Sequence, residues 1–384
     1  MNWLSALLAL VVSLASLGHC AGATLGLSVG SEGQLLLEGR RYRGVGVNYY
    51  DVFVRQIPDP TDRTAQLGME QLAGFKIPFV RFSAGGYWPH DWRLYQTNRA
   101  EYFARLDSVV RTAERLGIGL IPSLFWHYST VPDLVGEPVS AWGRTNSLTH
   151  SFMREYTRQT VTRYRSSRAI WAWEFGNEYN LPADLPNAAE HRAPVVPALG
   201  TPASRSAADD LSHTMIRVAV REFAAEVRRH DSHRMIVSGH AFPRTSAWHQ
   251  AAEGSWRPDS PEQFALVIAA DNPFPVDSLC VRAYDLTNDV ARIPLAMKVS
   301  RDLKKPLFVG EFGVSGPDTE QSRKVFASLL GSMETGGVPL AALWVYDFQA
   351  QANEWSVTLR NARGWQLEEI RAVNQRLGNA ESGR

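Results

Sequence analysis

The 384-residue chain has only two cysteines and contains no Asn-x-Ser/Thr triplet. Without the triplet, N-glycosylation is not expected. Two cysteines cannot build a disulfide framework here, because cleavage of a leader after Ala23 would remove Cys20 and leave Cys280 alone. A formal net charge of +1 offers no surplus of one sign with which to hold nucleic acid or an anionic membrane surface. Neither H-x-H nor H-E-x-x-H occurs, so a metal-dependent hydrolase ranks low and neither metal nor cofactor is expected. There is no internal repeat, and no linker that would cut off a second domain.

The apolar run from Leu4 to Leu17 is too short for a comfortable membrane span, and Ala21-Gly22-Ala23 follows it as an A-x-A cleavage site. Residues 1–23 therefore read as a secretory signal peptide and 24–384 as the mature domain, secreted or periplasmic, although Met1-Asn2-Trp3 lacks the usual Lys or Arg. The competing reading is an uncleaved anchor. Leu17-Gly18-His19-Cys20 also resembles a lipoprotein cleavage box, with His19 a poor fit, so membrane attachment is expected only through a lipid on Cys20.

What the chain does have is a regular alternation. After a small hairpin or lid around Leu35–Tyr42, strand signals recur at Tyr42–Val47, Ile77–Phe82, Ile118–Trp126, Ile170–Phe175, Met235–Ser238, Leu279–Tyr284, Leu307–Gly310 and Leu340–Tyr346. Helical faces fall between them, as at Tyr102, Leu106, Val109, Val110, Ala113 and Leu116, closed by Gly117. Eight strand–helix pairs predict an α/β fold, a single (β/α)8 TIM barrel with a short N-terminal hairpin. Helix-to-strand turns are as short as Gly117 or Lys304-Lys305, whereas strand-to-helix segments such as 83–98, 127–147, 179–208, 239–258 and 347–363 are long. That asymmetry places function in long loops at the C-terminal ends of the strands. Segment 181–203, rich in Pro and Ala, reads equally as a cleft wall beside Glu178 or as a mobile surface insertion.

Two strands end alike. Ala169-Ile-Trp-Ala-Trp-Glu-Phe-Gly-Asn-Glu178 is an apolar and aromatic run, Glu174 apart, that breaks at Gly176 and delivers Asn177 and Glu178 to the sheet edge. Pro306-Leu-Phe-Val-Gly-Glu311 has the same form. One carboxyl to protonate a leaving oxygen and another to attack an anomeric carbon is what two-carboxylate glycoside hydrolysis requires. The bland reading of either glutamate alone is a salt-bridge partner. The partner expected is an oligo- or polysaccharide; the twelve Trp suit sugar stacking and core packing alike.

With these motifs, residues 40–350 or so resemble clan A glycoside hydrolases, most closely family five, the cellulase and mannanase group. The resemblance implies a retaining β-glycosidase acting on a β-linked glucan or mannan, with Glu178 as acid/base and Glu311 as nucleophile. It also implies that Asn177 binds the sugar 2-hydroxyl, Arg81 supports the nucleophile, His127 lines the cleft, Tyr284 stands near the nucleophile and Trp344 forms a sugar platform. Physical chemistry agrees: a guanidinium beside Glu311 would keep it charged, Glu178 needs a less polar setting to stay protonated, and an indole face suits the C–H face of a pyranose. The plainer alternatives are a structural ion pair for Arg81, a core histidine for His127 and packing for Trp344. Trp88, Trp92, Trp142, Trp248 and Trp355 are candidates for outer subsites. A non-catalytic glycan-binding protein on the same barrel is the main competing reading.

One position departs from the family pattern: Arg282 stands where a histidine is usual, two residues before Tyr284. Residues two apart on a strand share a face, so an inward Tyr284 brings Arg282 inward, where a guanidinium needs an anionic partner. That partner is expected to be a protein carboxylate other than Glu178, with a substrate carboxylate the second choice.

Overall fold

The computed structural model describes residues 24–284 and 289–382. The expected signal peptide, with Cys20, lies outside the described residues, and no helix among those described is long and apolar enough to cross a membrane.

Three short strands come first: β1 (Leu27–Val29), β2 (Leu35–Leu37) and β3 (Arg40–Arg41), an antiparallel sheet in that order. Eight parallel strands follow: β4 (Gly44–Asn48), β5 (Phe79–Ser83), β6 (Gly119–Phe125), β7 (Ala172–Gly176), β8 (Met235–Val237), β9 (Leu279–Ala283), β10 (Leu307–Phe312) and β11 (Leu340–Leu343). The predicted eight-fold alternation is borne out. The strands are buried along their whole length, as expected where helices cover one face and the barrel interior fills the other. One helix shows the close that the sequence indicated. Helix Arg99–Leu116 opens at Asn98, whose side chain accepts from the Glu101 N–H, and closes on Gly117 at φ 69°.

Hydrogen-bonded order runs β8-β7-β6-β5-β4-β11-β10-β9, so strand pairing leaves a seam between β8 and β9. Asp277 N–H to the Ile236 carbonyl, 3.1 Å, ties the seam near its lower end. The Arg282 side chain ties it near the upper end, as described below.

The N-terminal sheet is not a lid. Leu27 and Leu35, with Val29, Leu37 and Tyr42, pack on Phe79, Ile121, Trp171, Met235 and Phe308, all near the starts of barrel strands. It plugs the end of the barrel opposite the long loops, and the Leu27 N–H donates to the Trp171 carbonyl at 2.8 Å. Segment 181–203 folds as an ordered insertion. Tyr128 OH donates to the His191 carbonyl, and Arg192 pairs with Asp210 at 2.6 Å just beyond it. Of that segment only Leu181 reaches a cavity beside Glu178.

Candidate active site

The long loops surround a cavity of 670 Å³ at the strands' C-terminal ends, and Asn177, Glu178, Tyr284, Glu311 and Trp344 all line it. Five of the seven sequence-derived site residues thus meet at one place. Arg81 lies directly beneath, fully buried. His127 is set apart: it lines neither this cavity nor its neighbour among the described residues. Its ring centroid is 5.0 Å from that of the wall residue Tyr87, and its Nδ1 lies 3.1 Å from the Ser129 hydroxyl. Burial, with Arg205 adding repulsion, pushes its pKa down to about 4.

Arg81 organises the floor of the site. From the middle of β5 its guanidinium donates to Glu174 on β7 at 2.8 Å, to Asn48 Oδ1 on β4 at 2.8 Å, to Glu311 Oε1 at 2.8 Å and to Asn177 Oδ1 at 2.8 Å. The Trp126 ring covers it at 4.5 Å. A buried guanidinium with all these acceptors is both a structural ion-pair partner and a support for Glu311, so the two readings of Arg81 are one.

Glu311 is positioned by an irregularity. Strand register shifts between Val309 and Glu311 against β9, and between Val309 and Phe312 against β11, which marks a bulge at Gly310. The Gly310 carbonyl accepts from Asn48 Nδ2 at 2.9 Å. Two donors, Arg81 at 2.8 Å and Tyr284 OH at 2.5 Å, bond the Glu311 carboxylate, and the Arg282 guanidinium pairs with it as a charge, Nε standing 3.2 Å away without a hydrogen bond.

Arg282 therefore points inward, as its two-residue spacing from Tyr284 requires, and the carboxylate it meets is Glu311. Its Nη2 also donates to the Gly239 carbonyl at 2.8 Å and to Asn177 Oδ1 at 3.0 Å. Since Gly239 follows β8, the guanidinium closes the seam left by strand pairing. Gly310 makes room for it, because a Cβ there would stand 2.1 Å from Arg282 Nη1. Gly239 is fixed for a different reason: at φ 79° its Cβ would sit 1.8 Å from the Gly176 carbonyl oxygen. Its own carbonyl accepts the Glu178 N–H at 2.9 Å, which anchors the backbone of that residue at φ 54°.

Glu178 has opposite surroundings. Its carboxyl makes no hydrogen bond to a described residue, and desolvation together with the charge of Glu311 raises its pKa to about 7, against the smaller pull of Arg282 and Arg81. Asn177 is oriented by elimination. Both guanidiniums can only donate, so its Oδ1 faces them and its NH2 is left for the cavity it lines.

Aromatic rings complete the walls. Trp344, its Nε1 bonded to Gln351 Oε1 at 2.9 Å, lies 6.0 Å from Trp126 and 6.1 Å from Tyr50. Of the outer-subsite candidates, Trp88 and Trp355 line the cavity. Trp92 and Trp142 are wholly buried in the aromatic core, and Trp248 lines neither cavity. Sequence reasoning missed Asn48, Glu174, Tyr50, Tyr87 and Phe348. Glu174 had a visible signal, a lone charge inside an apolar strand, which in a barrel must meet a cation.

The fold and cleft together define a (β/α)8 barrel with two carboxyl groups of contrasting surroundings at its catalytic face. Residues 59–345 match the model of the Cellulase family, glycosyl hydrolase family 5, and the chain belongs to that family. It is 28% identical over 198 residues to mannan endo-1,4-beta-mannosidase A of Aspergillus aculeatus, covering 44% of this chain and 51% of that protein. It is 29% identical over 171 residues to a probable mannan endo-1,4-beta-mannosidase A of Aspergillus niger, covering 39% and 43%. The chain thus spans about half the length of these curated relatives. Among solved structures, the endo-1,4-beta-mannanase of Rhizomucor miehei superposes with a TM-score of 0.65 at 15% identity, covering 94% of this chain and all of that one. The mannanase of Thermotoga petrophila gives 0.60 at 14% identity, covering 88% and 78%.

Proposed function

We propose that the protein is a retaining β-glycosidase that hydrolyses O-glycosidic bonds of a β-linked glycan by double displacement. Glu311 is the nucleophile and Glu178 the acid/base. The observation that carries this is the contrast between the two carboxyl groups: Glu311 faces two guanidiniums and a phenol, while Glu178 meets no donor among the described residues and titrates near 7. A group that must donate a proton at neutral pH and one that must attack as an anion need those opposite settings.

In the first step Glu311 attacks the anomeric carbon while Glu178 gives its proton to the leaving oxygen. Glu178, now a carboxylate, then takes a proton from the water that breaks the glycosyl–Glu311 ester. The Asn177 NH2 is placed to donate to the 2-hydroxyl of the sugar held there, and Trp344 offers it a flat apolar face. Mannan is the first polysaccharide to test, because the relatives named above act on it, with glucan the alternative. Residues 1–23 direct export, so the mature protein acts outside the cytoplasm.

A panel of aryl β-glycosides and of mannan and glucan oligosaccharides, with the anomer of the first product read by proton NMR, tests the reading. Turnover with the β-anomer appearing first supports it. Binding without turnover anywhere in the panel would return the protein to the non-catalytic glycan binders.

A further inference from the structure

A second cavity, of 240 Å³, shares Glu178 and Tyr284 with the first. If Glu178 is the proton donor, the bond it cleaves lies between the cavities. The sugar attacked by Glu311 occupies the first, and the departing sugar leaves through the second. This step rests on the hydrolase reading above.

The second cavity has a polar lining that the protein itself does not satisfy. Gln250 is 4% exposed, and neither its amide oxygen nor its amide nitrogen has a hydrogen-bond partner among the described residues. An amide so deeply buried normally finds a partner. Arg244 is half-buried and spends its Nε on the Leu181 carbonyl at 2.6 Å, with no carboxylate in ion-pair range among the described residues. The other guanidiniums of the cavity are matched, Arg282 with Glu311 at 3.2 Å and Arg292 with Asp289 at 3.2 Å. Trp256, 52% exposed, stands on the same wall and presents an indole at the rim. A cation held partly out of water without a protein anion, next to an amide without a protein partner and an exposed ring, is a setting suited to an anionic ligand that carries hydroxyls.

We propose that this cavity is a leaving-group subsite selective for an acidic sugar. The Arg244 guanidinium takes the sugar's carboxylate, Gln250 bonds its hydroxyls and Trp256 stacks on its ring. The acidic residue that the Arg282 substitution raised as an option thus belongs to Arg244, since Arg282 is already committed to Glu311. A carboxylate beside Glu178 is compatible with catalysis, because the acid form that begins the reaction is neutral.

The test compares two disaccharides that carry the glycone the enzyme accepts and differ only in the leaving residue, glucuronate in one and glucose in the other. The wild-type kcat/KM ratio, acidic over neutral, is expected to be about 10–100, the value of a charge-assisted hydrogen bond made to the acidic partner alone. Arg244→Gln should bring that ratio close to one, and added salt should lower it in the wild type. A wild-type ratio of one or less overturns the proposal whether or not the variant folds. So does a raised ratio that Arg244→Gln, with unchanged Tm, leaves where it was. Turnover of an activated aryl β-glycoside by the wild type, which needs no second sugar, separates failure of this subsite from failure of the hydrolase reading.

Discussion

Arg282 Nε lies 3.2 Å from Glu311 Oε1, on strands where these two residues are direct register partners. The same guanidinium reaches the Gly239 carbonyl, which in turn holds the Glu178 N–H. A single side chain therefore touches Glu311, the proposed nucleophile, and the backbone support of Glu178, the proposed acid, and closes the barrel seam between them.

The first prediction concerns charge. Arg282 lowers the pKa of Glu178, but less than burial and Glu311 raise it. The alkaline limb of kcat/KM, set by loss of the Glu178 proton, should fall near pH 7. In Arg282→His, assayed where the new imidazole is neutral, it should move upward by less than about one unit, since a direct ion pair would shift it by about 1–3. A larger upward shift would make Glu178, and not Glu311, the functional partner of Arg282.

Packing couples Arg282 to Gly310. Adding a Cβ 2.1 Å from Nη1 forces the guanidinium out of place, so Gly310→Ala should cost about 1–3 kcal/mol of stability. Part of that cost should vanish in the double variant with Arg282→His, which a thermodynamic cycle of urea midpoints measures. Strict additivity would mean that the backbone, and not the arginine, makes glycine necessary.

Stability should respond to the acid itself. The folded-state pKa of Glu178 is raised above its ordinary value of 4.5 to about 7, so between those values the folded state binds more protons than the unfolded and stability falls as pH rises. Glu178→Gln removes this penalty. Its Tm should exceed that of the parent by little at pH 4 and by most at pH 8, with the gain developing across pH 4.5–7. An equal effect at both pH values would mean that the carboxyl is not desolvated.

The roles should also separate by leaving group. Glu178→Ala should lose about 10²–10⁴-fold on sugar leaving groups but far less on very acidic phenols, which depart without a proton. Glu311→Ala should lose turnover on both. Equal losses on the two substrate types in both variants would break the assignment.

Much of this was legible in the chain because it is local. An apolar run ending at Gly176 or Gly310 announces a buried strand and what it delivers, and Arg282 could be aimed inward from its spacing to Tyr284. The polar layer beneath was not legible. Glu174 was visible as a lone charge, but its partner Arg81 is 93 residues away and only closure of the barrel brings them together. Tryptophan misled for a related reason: Trp92 and Trp88 sit four residues apart in one loop, yet the first is core and the second cleft wall. Sequence alone does not say which way a loop turns its rings. The N-terminal hairpin gave no sign of which barrel mouth it would close.

The most direct measurement is covalent trapping with an activated 2-deoxy-2-fluoro β-glycoside of the accepted glycone, followed by peptide mass spectrometry. The fluorine slows both steps, and the good leaving group lets the first one run, so the glycosyl ester accumulates. A single label on the peptide that contains Glu311, absent from Glu311→Ala, is the result expected of a retaining pair in these roles. A label on Glu178 or elsewhere, or hydrolysis to the inverted anomer with no adduct, would contradict it.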